Sequence, residues 1–196
     1  MLFQGCTGLT TTPLILPATT LASQCYYGMF NGCNSLTAAP ELPATTLADS
    51  CYGNMFSGCT SLTTAPELPA TTLVQGCYQN MFRGCSSLTS APELPATTLE
   101  NYCYQYMFQG CTSLETAPEL PATTLANNCY QNMFQNCSNL NYIKCLATDI
   151  SARYCTTGWV NGVQTNSGTF VKNPEMTSWS TGNNGIPTNW TVQDAS

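Results

Sequence analysis

Histidine is absent from this chain, and charge of either sign is scarce. Lys, Arg, Asp and Glu together make up 7% of its 196 residues, against about 25% in an ordinary soluble domain. Without histidine there is no usual general base, no commonest metal ligand and no Ser-His or Cys-His nucleophile pair. Only four residues are basic, Arg83, Lys144, Arg153 and Lys172, and the net charge is −6. That balance excludes a basic stripe able to neutralise nucleic-acid phosphates, and it excludes a polybasic membrane anchor. No apolar run approaches the roughly 18 residues of a membrane span, so no membrane insertion is expected. No basic stretch followed by an apolar core stands at the N-terminus, so no signal peptide is visible.

What is present is order. Met29, Met55, Met81, Met107 and Met133 lie 26 residues apart, and so do Cys33, Cys59, Cys85, Cys111 and Cys137. A second cysteine column runs through Cys25, Cys51, Cys77, Cys103, Cys129 and Cys155. One unit, Leu36 to Ser61, reads L-T-A-A-P-E-L-P-A-T-T-L-A-D-S-C-Y-G-N-M-F-S-G-C-T-S. Within it Leu47, Cys51 and Met55 fall at i, i+4 and i+8, with Tyr52 and Phe56 on the adjacent row. This spacing predicts a helix of about three turns. Thr46 is its expected N-cap. The column Gly32, Gly58, Gly84, Gly110 and Asn136 is the expected left-handed residue closing the helix. An extended stretch, L-T-x-A-P-E-L, follows, and its proline predicts a very short or irregular strand.

Such a unit cannot bury its own apolar face, whereas stacked units can, which predicts an α/β solenoid of 26-residue coils, taken as right-handed. The repeat outlasts its obvious signature. Trp159-Val160-Asn161-Gly162-Val163 lies one period after Met133 to Cys137, and Tyr142 to Leu146 replaces the A-P-E-L stretch without its proline. Thr169-Phe170-Val171-Lys172 falls one period further on, and W-T-V at 190–192 reads as another short β segment. The expected organisation is a solenoid over residues 1–163, with its first coil incomplete, and a β-rich C-terminal cap over 164–196.

The string L-P-x-x-L-x-x-C-Y-x-x-M-F-x-G-C-x-S-L resembles the BspA-like leucine-rich repeats of bacterial cell-surface proteins. The closing segment, from C-L-A-T-D-I-S-A-R-Y-C through G-T-F-V-K to G-I-P-T-N-W-T-V, resembles the Trp-containing segment that follows such repeats. The family's usual coil is about 23 residues and ends in A-F-x-x-C. Here it has 26, with Met for Ala and an extra cysteine column. The resemblance implies a leucine-rich-repeat solenoid, a surface or extracellular location, and adhesion to host or bacterial surface proteins without a catalytic motif or cofactor.

Several columns carry chemistry. Thirteen cysteines form two columns of six plus Cys145. Pairing each to the next unit, Cys6–Cys25 through Cys137–Cys155, would leave Cys145 alone. Pairing within units would strand Cys6 and Cys155. We read both columns instead as reduced thiols stacked in the core. A zinc site is not expected, since C-x7-C lacks the short ligand spacing and there is no histidine. Glu41, Glu67, Glu93 and Glu119 form an acidic column, either solvated or facing a basic partner. The five Thr pairs, Thr19-Thr20 to Thr123-Thr124, are read as helix caps. Units differ most around residues 22–24 and 27–28 and their equivalents, where Tyr27, Arg83, Tyr102 and Tyr106 are the bulky residues of the kind that anchor interfaces.

The expected function is therefore non-catalytic: a surface adhesion or protein-binding module using Glu41, Glu67, Glu93 and Glu119 or Tyr27, Arg83, Tyr102 and Tyr106. A structural spacer or stalk in a surface appendage or virion is the alternative, and a carboxylate-based glycosidase is disfavoured because the four Glu are interchangeable. The opening M-L-F-Q-G-C matches the back half of a repeat, with Met1 standing where Gly28 would be. It therefore reads as a cut edge, which suggests a C-terminal fragment or a short product with an uncapped first coil. End-to-end self-association is expected at such an edge, and a signal missing there carries no information.

Overall fold

The computed structural model describes residues 2–163 and 166–196. The register assigned to Met1 and the expected boundary at residue 164 lie outside the described residues. The coils stack in parallel, each residue meeting its counterpart one period away, as in Ala38 with Thr64, Thr64 with Ser90 and Thr116 with Tyr142. Where the A-P-E-L proline is present, these contacts are isolated single bridges, as the missing donor requires. Where it is lost, true strands form: β1 (Tyr142–Cys145), β2 (Thr169–Lys172) and β3 (Thr191–Asp194). They pair parallel in the order β1-β2-β3, with Tyr142 opposite Thr169 and Thr169 opposite Thr191, so the sheet prolongs the ladder of the preceding coils.

The expected helix does not form. Among the described residues no helix is present, and residues such as 49–58 are a run of tight turns. The hydrogen bonds explain why. Cys51, Gly53, Met55, Ser57 and Cys59 each donate their N–H to the carbonyl three residues back, at 3.0–3.2 Å. The residues between them, Ser50, Tyr52, Asn54, Phe56 and Gly58, donate forward to Gln75, Cys77, Gln79, Met81 and Arg83 of the next coil, at 2.7–3.1 Å. An α-helix would spend every one of these donors within its own segment. Every fourth residue is left-handed, as with Ser50 at φ 53°, Asn54 at 55° and Gly58 at 75°. The Gly column is thus left-handed as expected, but it closes a turn instead of a helix. The Thr pairs have no helix to cap. They lie exposed in extended chain, where Thr20 bridges Thr46 and Thr72 bridges Thr98.

The apolar stripe survives this change because four residues is also the turn period. Leu47, Cys51, Met55, Cys59 and Leu62 are all buried, and the same holds in the next three coils. Two aromatic ladders run through the stack. Phe3, Phe30, Phe56, Phe82, Phe108 and Phe134 follow one another with ring centroids 5.5–5.8 Å apart. Tyr26, Tyr52, Tyr78, Tyr104 and Tyr130 do the same at 5.8–6.2 Å. Both ladders end on Trp159, whose indole lies 6.2 Å from Tyr130 and 6.3 Å from Phe134. Its Nε1 donates to the Gly185 carbonyl at 2.8 Å, and Trp179 stacks on its far side at 5.5 Å.

All thirteen cysteines are free thiols, and eleven are buried. Their order is chemical as well as steric. The Sγ atoms of Cys59, Cys85, Cys111 and Cys137 donate to the carbonyls of Phe30, Phe56, Phe82 and Phe108 in the preceding coil, at 3.0–3.1 Å. A donated S–H needs a neutral thiol, and burial pushes these thiols upward, to about 12 for Cys59 and Cys137. Alkylation of the native chain by iodoacetamide should therefore modify Cys6 and Cys25 quickly and the eleven buried thiols only on unfolding. Mass spectrometry before and after denaturation reads this directly, and thiols missing from the denatured count would indicate disulfides.

Candidate interaction surface

The residues expected to bind divide between two faces. On the extended face Glu41, Glu67, Glu93 and Glu119 are all exposed. Proline ridges separate them into shallow clefts. One of about 430 Å³ lies between Pro40-Glu41-Pro43 and Pro66-Glu67-Pro69, and one of about 470 Å³ between Pro92-Glu93-Pro95 and Pro118-Glu119-Pro121. Glu67 and Glu93 line a third. The column ends in its opposite. The extended stretch opposite Glu119 is one residue shorter, so Leu120 bridges Cys145 and Lys144 stands beside Glu119, with Nζ 3.0 Å from the carboxylate. An exposed pair of this kind contributes about 0–1 kcal/mol. Its information is positional: a cation one rung along satisfies a Glu of the column.

The turn face carries Tyr27, Arg83, Tyr102 and Tyr106, and they do not form one group. Tyr27 is a packing residue. Its ring occupies the space a side chain at Gly53 would need, with ring carbons 2.8 Å from a Cβ built there, and its hydroxyl accepts a hydrogen bond from Asn54 Nδ2 at 2.7 Å. Arg83 and Tyr106 do come together, the guanidinium lying 5.9 Å from the ring centroid. Two residues escaped the sequence reading. Tyr154 stands two periods after Tyr102 in the same column, and Arg153 lies 4.7 Å from its ring centroid while Nη2 donates to the Tyr154 hydroxyl at 3.1 Å. The period alone would have located Tyr154, had the column been followed past the last M-F-x-G-C.

These tyrosines are held in unusual backbone. Tyr102, Tyr106 and Tyr154 have φ of 61°, 56° and 57°. The other members of their columns are mostly residues that tolerate this region or are small: Ser50, Gly76 and Asn128 in one, Gly28, Asn54, Asn80, Asn132 and Gly158 in the other. A bulky side chain there costs on the order of 1–3 kcal/mol and persists only where the surroundings impose it. Beside the rings runs an amide ladder, in which Gln79 Nε2 donates to Gln105 Oε1 and Gln105 Nε2 to Gln131 Oε1, with Asn128 Nδ2 donating to Gln131 Oε1 at 2.8 Å. The result is a firm surface of rings, amides and guanidinium groups.

Among the described residues no group of three or more His, Cys, Asp or Glu could hold a metal ion, and no helix is long and apolar enough to cross a membrane. A family model described as BspA type leucine rich repeat region matches the chain in six copies, over residues 1–106 and 28–152. Among curated proteins and solved structures no match was found.

Proposed function

The chain belongs to the BspA-type leucine-rich repeat family, and from that premise we propose that it is a non-catalytic binding module that holds a protein ligand at a cell surface. The observation that carries this reading is the turn face of the later coils. Tyr102, Tyr106 and Tyr154 occupy left-handed positions that Gly, Asn, Ser and, once, Gln24 fill elsewhere in the stack, and two of the four basic residues lie against them. Tyr and Arg are the residue types that most often dominate binding energy, because they offer large rigid contact area with few rotors. Such a residue set is unnecessary for stacking, since neighbouring coils stack without it. The family's adhesive members support the same assignment, and the interchangeable glutamates of the other face offer no distinguished catalytic group.

Solid-phase binding of the purified chain to a panel of immobilised matrix glycoproteins and to intact bacteria tests the proposal. The expected result is saturable retention of at least one of them. The Y102N/Y106N double variant should lose at least ten-fold in affinity, the scale of one or two interface anchors. Equal retention by the variant would remove the turn face from the reading. Absence of any retention would favour a spacer role.

A further inference from the structure

The cations of this chain are used in two different ways. Both lysines are ion-paired: Lys144 with Glu119, and Lys172 with Asp194. Among the described residues neither arginine makes an ion pair, and both are exposed. Each lies over a tyrosine ring of the turn face instead, Arg83 over Tyr106 and Arg153 over Tyr154. Asp49, an earlier member of Arg153's column, and Glu100, of the column next to it, pair with neither. A guanidinium over a ring can still present N–H donors to a carboxylate, although Arg153 gives one Nη2 donor to the Tyr154 hydroxyl at 3.1 Å.

The spacing is informative. Arg83 lies three coils before Arg153, with Tyr102 and Tyr106 on a coil between them. At the separation of hydrogen-bonded strands this is roughly 15 Å along the stack. Arg83 is equivalent to Asn161, eight positions along the turn run from Arg153, so the two are also offset sideways and an extended peptide needs more than the about four to five residues that 15 Å alone would take. The backbone donors of the turn runs are already spent, alternately within the turns and on the next coil, so the face offers side chains and no free sheet edge.

We propose that this face docks an extended acidic segment of a partner protein, with one carboxylate at Arg83, a second more than four residues along at Arg153, and the rings of Tyr102, Tyr106 and Tyr154 packing against the segment. The proposal rests on the binding-module reading and adds the chemistry of the ligand. On a chain of net charge −6, these are the two basic side chains that make no ion pair among the described residues. The docked segment supplies the missing countercharges, and the stacked rings set the direction in which it lies.

The test uses a fluorescent random copolymer of glutamate and tyrosine as probe, followed by anisotropy with the full chain. Polylysine and heparin are run alongside it. The expected result is saturable binding of the copolymer that weakens with salt, no binding of polylysine at this face, and a ~10-fold loss in the R83Q/R153Q double variant. The Y102N/Y106N variant should also bind less well while melting at the same temperature as wild type or higher, since it relieves left-handed strain. A merely structural role for these tyrosines would lower the melting temperature. Failure of the copolymer to bind, or equal affinity in R83Q/R153Q, overturns the proposal. Binding of heparin in place of the copolymer assigns the face to an acidic glycan and overturns it equally. If R83Q/R153Q still retains the immobilised surface ligands, the acidic-segment assignment fails while the binding-module reading stands.

Discussion

Phe82→Ala should unfold the middle of the stack, lowering stability by about 3–5 kcal/mol. Phe82 is fully buried and its ring lies 5.7 Å from Phe56 on one side and 5.7 Å from Phe108 on the other, within 9° of parallel. Removing it deletes the transfer energy of a phenyl group, leaves a cavity, and breaks two stacked contacts worth about 0.5–1.5 kcal/mol each beyond their area. In a linear stack each coil is supported only by its neighbours, so the loss is not spread over a three-dimensional core. Total stability of a domain is about 5–15 kcal/mol, so the loss is a large part of the whole. Calorimetry should show a lower and broader transition, or two transitions as the coils on either side of Phe82 melt separately. Leu14→Ala is the matched control. Leu14 is 89% exposed and should change stability by no more than about 0.5 kcal/mol. A Phe82→Ala chain as stable as the Leu14→Ala chain would mean that the ring ladder does not hold the coils together.

Alkaline unfolding is the second large effect. Burial pushes the thiols of Cys59, Cys77, Cys129, Cys137 and Cys145 up to about 12, and that of Cys51 to about 11, from an ordinary value near 9. Burial also raises Cys85, Cys103 and Cys111 well above that value, and the phenols of Tyr52, Tyr78, Tyr104 and Tyr130 rise for the same reason. In each case the proton is held more tightly by the folded chain. The stability from this source is therefore complete below about pH 9, where the unfolded chain is also protonated. It is lost as pH rises toward 12, because the unfolded state sheds protons that the folded state must keep. Each such group removes about 1.4 kcal/mol per pH unit in that window. Since many thiols titrate together, unfolding should be steep and should precede any ionisation of the native core. Circular dichroism followed against pH, with thiolate absorbance recorded in parallel, should show the loss of structure and the absorbance of the eleven buried thiols changing in one transition between about pH 9 and 11. Thiolate absorbance beyond the share of the exposed Cys6 and Cys25 rising well before the loss of structure would show that the buried columns ionise in place, contrary to the S–H donation seen from Cys59 to Cys137.

Periodicity marked the buried residues correctly and misassigned the backbone between them. Leu47, Cys51, Met55 and Cys59 are four residues apart throughout. An α-helix turns 100° per residue, so a strict four-residue stripe drifts about 40° at each step and leaves its face within three steps. That drift was visible in the numbers. So was the column Gly28, Asn54, Asn80, Asn132 and Gly158, which repeats the left-handed composition of the Gly32 column four residues earlier. Tyr106 concealed it, because a bulky residue breaks the composition while keeping the conformation. The strands were legible for a simpler reason. Tyr142 to Cys145 and Thr169 to Lys172 combine β-branched or aromatic residues with the absence of proline, and both the donor and the propensity act locally.

The candidate surface divides the same way. Arg83, Tyr102 and Tyr106 could be singled out as bulky residues in variable columns, and the acidic column ending at Glu119 could be counted along the chain. That Tyr27 fills the gap above Gly53, that Lys144 comes opposite Glu119, and that Arg153 and Tyr154 join the turn face were decided by stacking. The repeat period determined by itself which residues are equivalent and, inside the stack, which of them are buried, because burial there depends on position within the coil; at its first coils that expectation fails, and Cys6 and Cys25 are exposed although their columns are otherwise buried. Which residues touch depended on the tertiary structure, because contacts form between coils and a one-residue shortening, as between Thr116–Tyr142 and Leu120–Cys145, shifts the local pairing before Tyr130 and Cys155 restore the register. Helix was rejected for turn at that level as well: half of the backbone donors gain a partner in the next coil, and no segment carries that partner within itself.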